Sequence, residues 1–148
     1  MERDFSKQQG RQSHPTDHGP EFFVGSVPAA AQCNQTFRTA FWTGQHLQMT
    51  LMCIPVCGEI GAEMHPDTDQ VIRIEAGQAL VQMGQEQDKM EVRRCLRAGE
   101  AVFVPGGTWH NISNNGPCPL KLSSIYGPPQ HPWGTVHLSK EDAQAQEA

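Results

Sequence analysis

Basic charge is scarce in this chain. Lysine and arginine total 11 of 148 residues against 16 aspartates and glutamates, a formal charge of −5, and charged residues amount to 18%. An average soluble domain carries roughly 25%. Arg93, Arg94 and Arg97 are the one tight basic group. No stripe of positive charge is available for a phosphate backbone, which excludes a nucleic-acid binder. Long hydrophobic runs are also missing. Val102-Phe103-Val104 is among the longest, and a spanning helix needs about 20 apolar residues, so a membrane partner is not expected. The stretch from Met1 to Glu21 is polar and lacks the apolar core of an export signal. No C-x-x-C pair occurs among the five cysteines, Cys33, Cys53, Cys57, Cys95 and Cys118. An odd count without that pair argues against a disulfide framework and for a reducing, cytoplasmic compartment. Each is read as a small buried or loop thiol. Phosphate loops, dinucleotide fingerprints and Ser-His-Asp signatures are absent.

What is present is turn-forming and β-rich. The chain has 14 glycines and 11 prolines, 25 of 148 residues, and 37% of residues are apolar, enough for one core. Its length suits one domain. Residues 1–21, broken by Pro15 and Pro20 and holding His14 and His18, read as a mobile lead. Residues 22–138 form the domain, and residues 139–148 a tail or a short helix capped by Ser139. Between the ends the hydrophobic period is two. His46 to Ile54 alternates through Leu51, as a half-buried strand does. Val71 to Glu75 and Ala79 to Met83 flank Gly77 and read as a hairpin. Glu91 to Leu96, Ala101 to Val104, Trp109 to Ile112 and Leu120 to Tyr126 complete the strands. Many short strands at even spacing indicate an all-β fold, a single antiparallel β-barrel or jelly roll.

One stretch carries chemical information. From Gly99 to Asn114 the chain has Gly99, Pro105, Gly107, His110 and Asn114 at fixed spacing. Gly99 opens a tight turn, Ala101 to Val104 runs as a strand, and Pro105 to Gly107 reverses the chain. His110 then starts the return strand, placed to aim its imidazole into the barrel. These five positions resemble the second motif of the cupin superfamily, whose pattern is G, five residues, P-x-G, two residues, H, three residues, N. The segment from Gly58 through His65, Asp67 and Gln70 to Gly77 resembles the first motif more loosely. His65 fits its first histidine, Asp67 stands at the second, and Gln70 stands at the glutamate. The resemblance covers about Gly58 to Asn114 and is similar to the small single-domain cupins. It implies a double-stranded β-helix holding one divalent transition metal ion, and commonly a homodimer.

Residues two apart on a strand face one side, so His65 and Asp67 can share the interior, and His110 arrives from an opposite strand. The expected ligands are therefore His65, Asp67, Gln70 and His110. Imidazole and oxygen donors suit manganese, iron, nickel or zinc. Two neutral imidazoles and one carboxylate leave a residual positive charge that favours an anionic substrate. Glu63 is a candidate general acid or base, alternatively an exposed carboxylate or one that supports the ligands. Tyr126 and His131 are candidates for the pocket mouth, and Trp109 for a dimer interface. The function expected is a metal-assisted isomerisation, decarboxylation or dioxygenation of a small keto acid, diketone or sugar acid. One alternative is a non-catalytic small-molecule or sugar sensor, and another a metal-free barrel. The H-x-D…H pattern also resembles 2-oxoglutarate-dependent iron oxygenases, with Lys121 near the position of their basic cosubstrate residue.

Overall fold

A computed structural model describes residues 16–147. Its order is α1 (Val27–Cys33), β1 (Arg38–Thr43), β2 (Gln48–Ile54), β3 (Asp69–Ala76), β4 (Gln78–Gly84), β5 (Val92–Arg97), β6 (Ala101–Val104), β7 (Trp109–Asn114), β8 (Leu120–Gly127), β9 (Val136–His137) and α2 (Lys140–Glu147). Two antiparallel sheets result, one ordered β6-β3-β8-β2-β1-β9 and the other β5-β4-β7. Apolar side chains of both pack into one shared core. The expected all-β barrel is therefore observed.

The hairpin expected at Gly77 is not. Strand β3 pairs with β6 and β8, while β4 pairs with β5 and β7. Gly77, at φ +91°, is the corner where the chain leaves one sheet for the other. A Cβ there would stand 3.1 Å from the Pro119 carbonyl oxygen, so position and backbone angle both call for glycine. Period-two alternation marks strands but not their partners, which here lie far along the chain.

Register sorts the interior into rows. Gln48 pairs with Tyr126, Tyr126 with Gln70, and Gln70 with Val104. One row further in, Thr50, Ser124, Ile72 and Val102 lie side by side, and then Met52, Leu122 and Ile74. Directly opposed residues point to the same face. The barrel is therefore polar at one end and apolar at the other, where Ile54, Ile74, Leu120 and Leu122 are fully buried.

The described segment before α1 is more ordered than its composition predicts. Residues 1–15, with His14, lie outside the described residues, but the rest of the expected mobile lead is tied down. Asp17 Oδ1 accepts from the backbone N–H groups of Gly19 and Thr43, and Oδ2 accepts from Thr43 Oγ1 and the Gly134 N–H. His18 stacks on Phe23 with ring centroids 3.9 Å apart. One carboxylate with four donors offsets the entropy of ordering this segment. Helix α1, which the strand-dominated reading omits, starts at Ser26, whose Oγ accepts from the Ala29 N–H. Ser139 Oγ accepts from the Asp142 N–H at the head of α2. The five cysteines are free thiols, and four of them, Cys33, Cys57, Cys95 and Cys118, are exposed rather than buried.

Candidate metal centre

The segment Gly58 to His65 runs antiparallel along the free edge of β7. Ile60 donates to the Ile112 carbonyl, and Glu63 and His110 exchange both backbone hydrogen bonds at 2.9 Å. Opposed residues in such a pair turn their side chains to one face. His65, two residues on, shares that face. The carboxylate and the two imidazoles therefore meet, with candidate donor atoms all within 4.8 Å of one another. Glu63 Oε2 lies 3.5 Å from His65 Nε2, and the two histidine rings are 5.5 Å apart.

The electrostatics fit a cation. Thr108 carbonyl oxygen lies 3.0 Å from His110 Nδ1, which holds the proton on Nδ1 and leaves the Nε2 lone pair aimed inward. Both His110 Nε2 and His65 Nε2 are buried without a hydrogen-bond partner. Burial lowers the His110 pKa, against the pull of the Thr108 carbonyl and the Glu63 charge, so its ring is neutral at pH 7. Burial alone would raise the Glu63 pKa. The close approach of His65 and the charge of Arg38, helped by His65 and His110, leave it below the usual carboxylate range. Glu63 is thus ionised. Two imidazoles and one carboxylate are a donor set for a divalent transition metal.

Of the expected ligands, the structure brings His65 and His110 together and leaves Asp67 out. Pro66 and Asp67 form a turn, and Asp67 is exposed. The turn breaks the period of two after His65, so the carboxylate of the cluster comes from the other side, at Glu63. Glu63 is accordingly a candidate ligand, not only a candidate acid or base. Asp69 accepts from the Gly106 N–H at 2.8 Å, a loop-fixing role. Gln70 is buried and faces inward beside Tyr126. Its Nε2 donates to Ser124 Oγ at 3.0 Å, and its Oε1 has no partner. Tyr126 is fully buried, between the His65 ring at 6.0 Å and the His131 ring at 5.4 Å. Burial raises its pKa, so the phenol keeps its proton at pH 7.

A cleft of about 450 Å3 opens onto Glu63 and His65, with Trp109, Gln130, His131 and His137 among its other lining residues. Trp109, expected at an interface, stands in its wall. Burial, with the charge of Arg38, lowers the His131 pKa to about 3, so that ring is neutral. Gln48 holds the segment in place: its Oε1 accepts from the backbone N–H groups of Gln130 and His131, and its Nε2 donates to the His131 carbonyl. Lys121 donates instead to the Asn34 carbonyl at the end of α1, and with Asp67 outside the cluster the H-x-D…H set that resembles an oxygenase of the 2-oxoglutarate type is not assembled. Sequence reasoning missed Arg38 and His137. Arg38 lies between Phe37 and the Phe41-Trp42 pair, and an arginine flanked by apolar residues in a strand was the available signal.

The family model for the cupin domain matches residues 50–126, the span that supplies every member of the cluster. This chain belongs to the cupin family. Among curated relatives of this cupin, an uncharacterized Bacillus subtilis protein, YrkC, is 50% identical over 131 residues, covering 88% of this chain and 70% of the relative. A mimivirus protein, L612, is 36% identical and covers 81% of this chain and 74% of its own length. Among solved structures, BH2720 from Bacillus halodurans superposes with a TM-score of 0.87 at 52% identity, covering 88% of this cupin and 98% of that chain.

Proposed function

We propose that this cupin is a metal-dependent enzyme acting on a small anionic substrate. One observation carries the reading: the Nε2 atoms of His65 and His110 are buried without partners, beside an ionised carboxylate. Leaving such groups unpaired costs about 1–3 kcal/mol each, and a cation removes that cost. The donors are His65, His110 and Glu63, with the free Oε1 of Gln70 as a fourth. A divalent manganese, iron, nickel or zinc ion bound there supplies Lewis acidity, or redox chemistry where the metal allows it. The protein's own groups set the conditions around it. The Thr108 carbonyl orients His110, the apolar rows beneath exclude water from the floor, and Tyr126 offers a protonated phenol. With Glu63 ionised and the imidazoles neutral, a divalent ion leaves the donor set at +1, which supports an isomerisation, decarboxylation or dioxygenation of a keto acid, diketone or sugar acid.

The test is elemental analysis of untagged protein, then turnover and oxygen uptake on a panel of keto acids, diketones and uronates. About one bound ion per chain and turnover of one class are expected. Absence of metal after loading overturns the reading. Tight ligand binding without turnover favours the sensor alternative.

A homodimer in the cytoplasm is part of the same proposal. Val71 pairs with both Phe103 and Ile125, and Phe103 is 71% exposed on that outer face, beside Ile125 and Leu47. A continuous apolar strip of this kind suits burial against a second copy.

A further inference from the structure

Arg38 is the largest of the fully buried side chains, at 1% exposure. A guanidinium stays charged in any protein and carries five N–H donors. Here they are poorly used. Nη1 meets His137 Nδ1 at 3.1 Å. Nη2 stands 3.9 Å from Glu63 Oε1, outside hydrogen-bond range. Nε has no partner among the described residues. An isolated buried charge is among the costliest arrangements a protein can hold. Both residues that Arg38 approaches, Glu63 and His137, line the cleft, so the Nη1 and Nη2 ends of the guanidinium reach the wall of the space that a ligand enters.

Glu63 does not satisfy Arg38. Its two oxygens face different groups, Oε1 toward Arg38 and Oε2 toward His65. On the metal-centre reading above, on which this inference rests, the carboxylate charge serves the cation. A divalent ion, ionised Glu63 and Arg38 together then make +2 with the imidazoles neutral. Such a pocket is short of negative charge on the side away from His65 and His110.

We propose that Arg38 anchors a carboxylate of the substrate while a second oxygen of the same molecule faces the metal centre. The planar fork pairs with a carboxylate through two parallel N–H···O bonds, which fixes orientation as well as charge. One carboxylate of Glu63 separates the guanidinium from His65, so the two ligand groups stand close together. The class is therefore a short 2-oxo or dicarboxylic acid, rather than a neutral diketone or a long-chain acid.

Calorimetric titration of the metal-loaded protein with pyruvate, oxalate and malonate, and with their neutral amides, tests this. At least one acid binds, and its amide binds about tenfold or more weakly, the effect of losing a charge-assisted pair. Arg38→Met keeps the metal content, lowers the acid's affinity about tenfold or more, and abolishes the preference over the amide. Should Arg38→Met fail to fold, Arg38→Lys keeps the charge but not the fork, and about a fivefold or greater loss is expected. Unchanged affinity in the folded variant, or no binding of any acid to the wild type, overturns the anchor. Elemental analysis is read separately. A wild type that takes no metal but binds the acids through Arg38 defeats the metal reading alone.

Discussion

Glu63 and His110 face each other across two antiparallel segments, each donating its backbone N–H to the other's carbonyl at 2.9 Å. Main-chain pairing, rather than side-chain attraction, brings the carboxylate to the imidazole. The cluster is therefore preformed, and replacing one side chain leaves the frame that holds the others. The first prediction concerns ion retention. His110→Ala and His65→Ala lose most of the bound ion in elemental analysis, Glu63→Gln weakens binding, and Asp67→Asn retains it. An Asp67 variant stripped of metal contradicts the assignment.

Acid sensitivity follows from His131. Its folded pKa is about 3, against about 6.5 for an unstructured histidine. Between those values the unfolded chain binds the extra proton, so stability is complete above pH 6.5 and falls as pH drops toward 3. For metal-free protein the loss between pH 7 and pH 4.5 is on the order of 2 kcal/mol. Urea midpoints across this range check it, and His131→Gln flattens the slope.

Ile74 is fully buried and belongs to the apolar end of the barrel. Ile74→Ala costs about 2–5 kcal/mol in chemical denaturation, through lost transfer energy and the cavity left behind. Metal content of the folded fraction stays unchanged, because the cluster lies at the opposite end.

At the sheet corner, Gly77→Ala places a Cβ on a backbone at φ +91°, 3.1 Å from a carbonyl oxygen. The expected penalty exceeds about 1 kcal/mol. A melting temperature equal to that of the wild type contradicts the corner described here.

Asp17→Ala removes an acceptor of four hydrogen bonds. Hydrogen exchange accelerates around residues 17–21 and at Gly134, with a stability loss of about 1–3 kcal/mol. Exchange that stays slow in both places counts against Asp17 as the fastener.

Local features were legible in the sequence and pairing was not. The strand from Ala101 to Val104 and the turn leading to His110 are written in adjacent residues, and the structure has both. Gly77 announces a turn, but whether the strands beside it pair depends on β5, β6, β7 and β8, which local alternation cannot report. Asp67 stands at the second histidine of the motif the segment resembles, and its place two residues after His65 puts it on the same face of a strand. That rule needs unbroken strand, and Pro66 ends it. Glu63 satisfies the same rule in the other direction. Arg38 escaped notice because both faces of β1 are covered, so burial does not alternate along its first four residues.

The rows of side chains across the barrel have an evolutionary consequence. Ile74, Leu120 and Leu122 hold the sheets together at one end, while Gln48, Gln70, His110 and Tyr126 stand at the other. Mutation can therefore retool the reactive rim for new chemistry while the greasy base keeps the vessel standing. A lineage built this way can change trades without rebuilding its house.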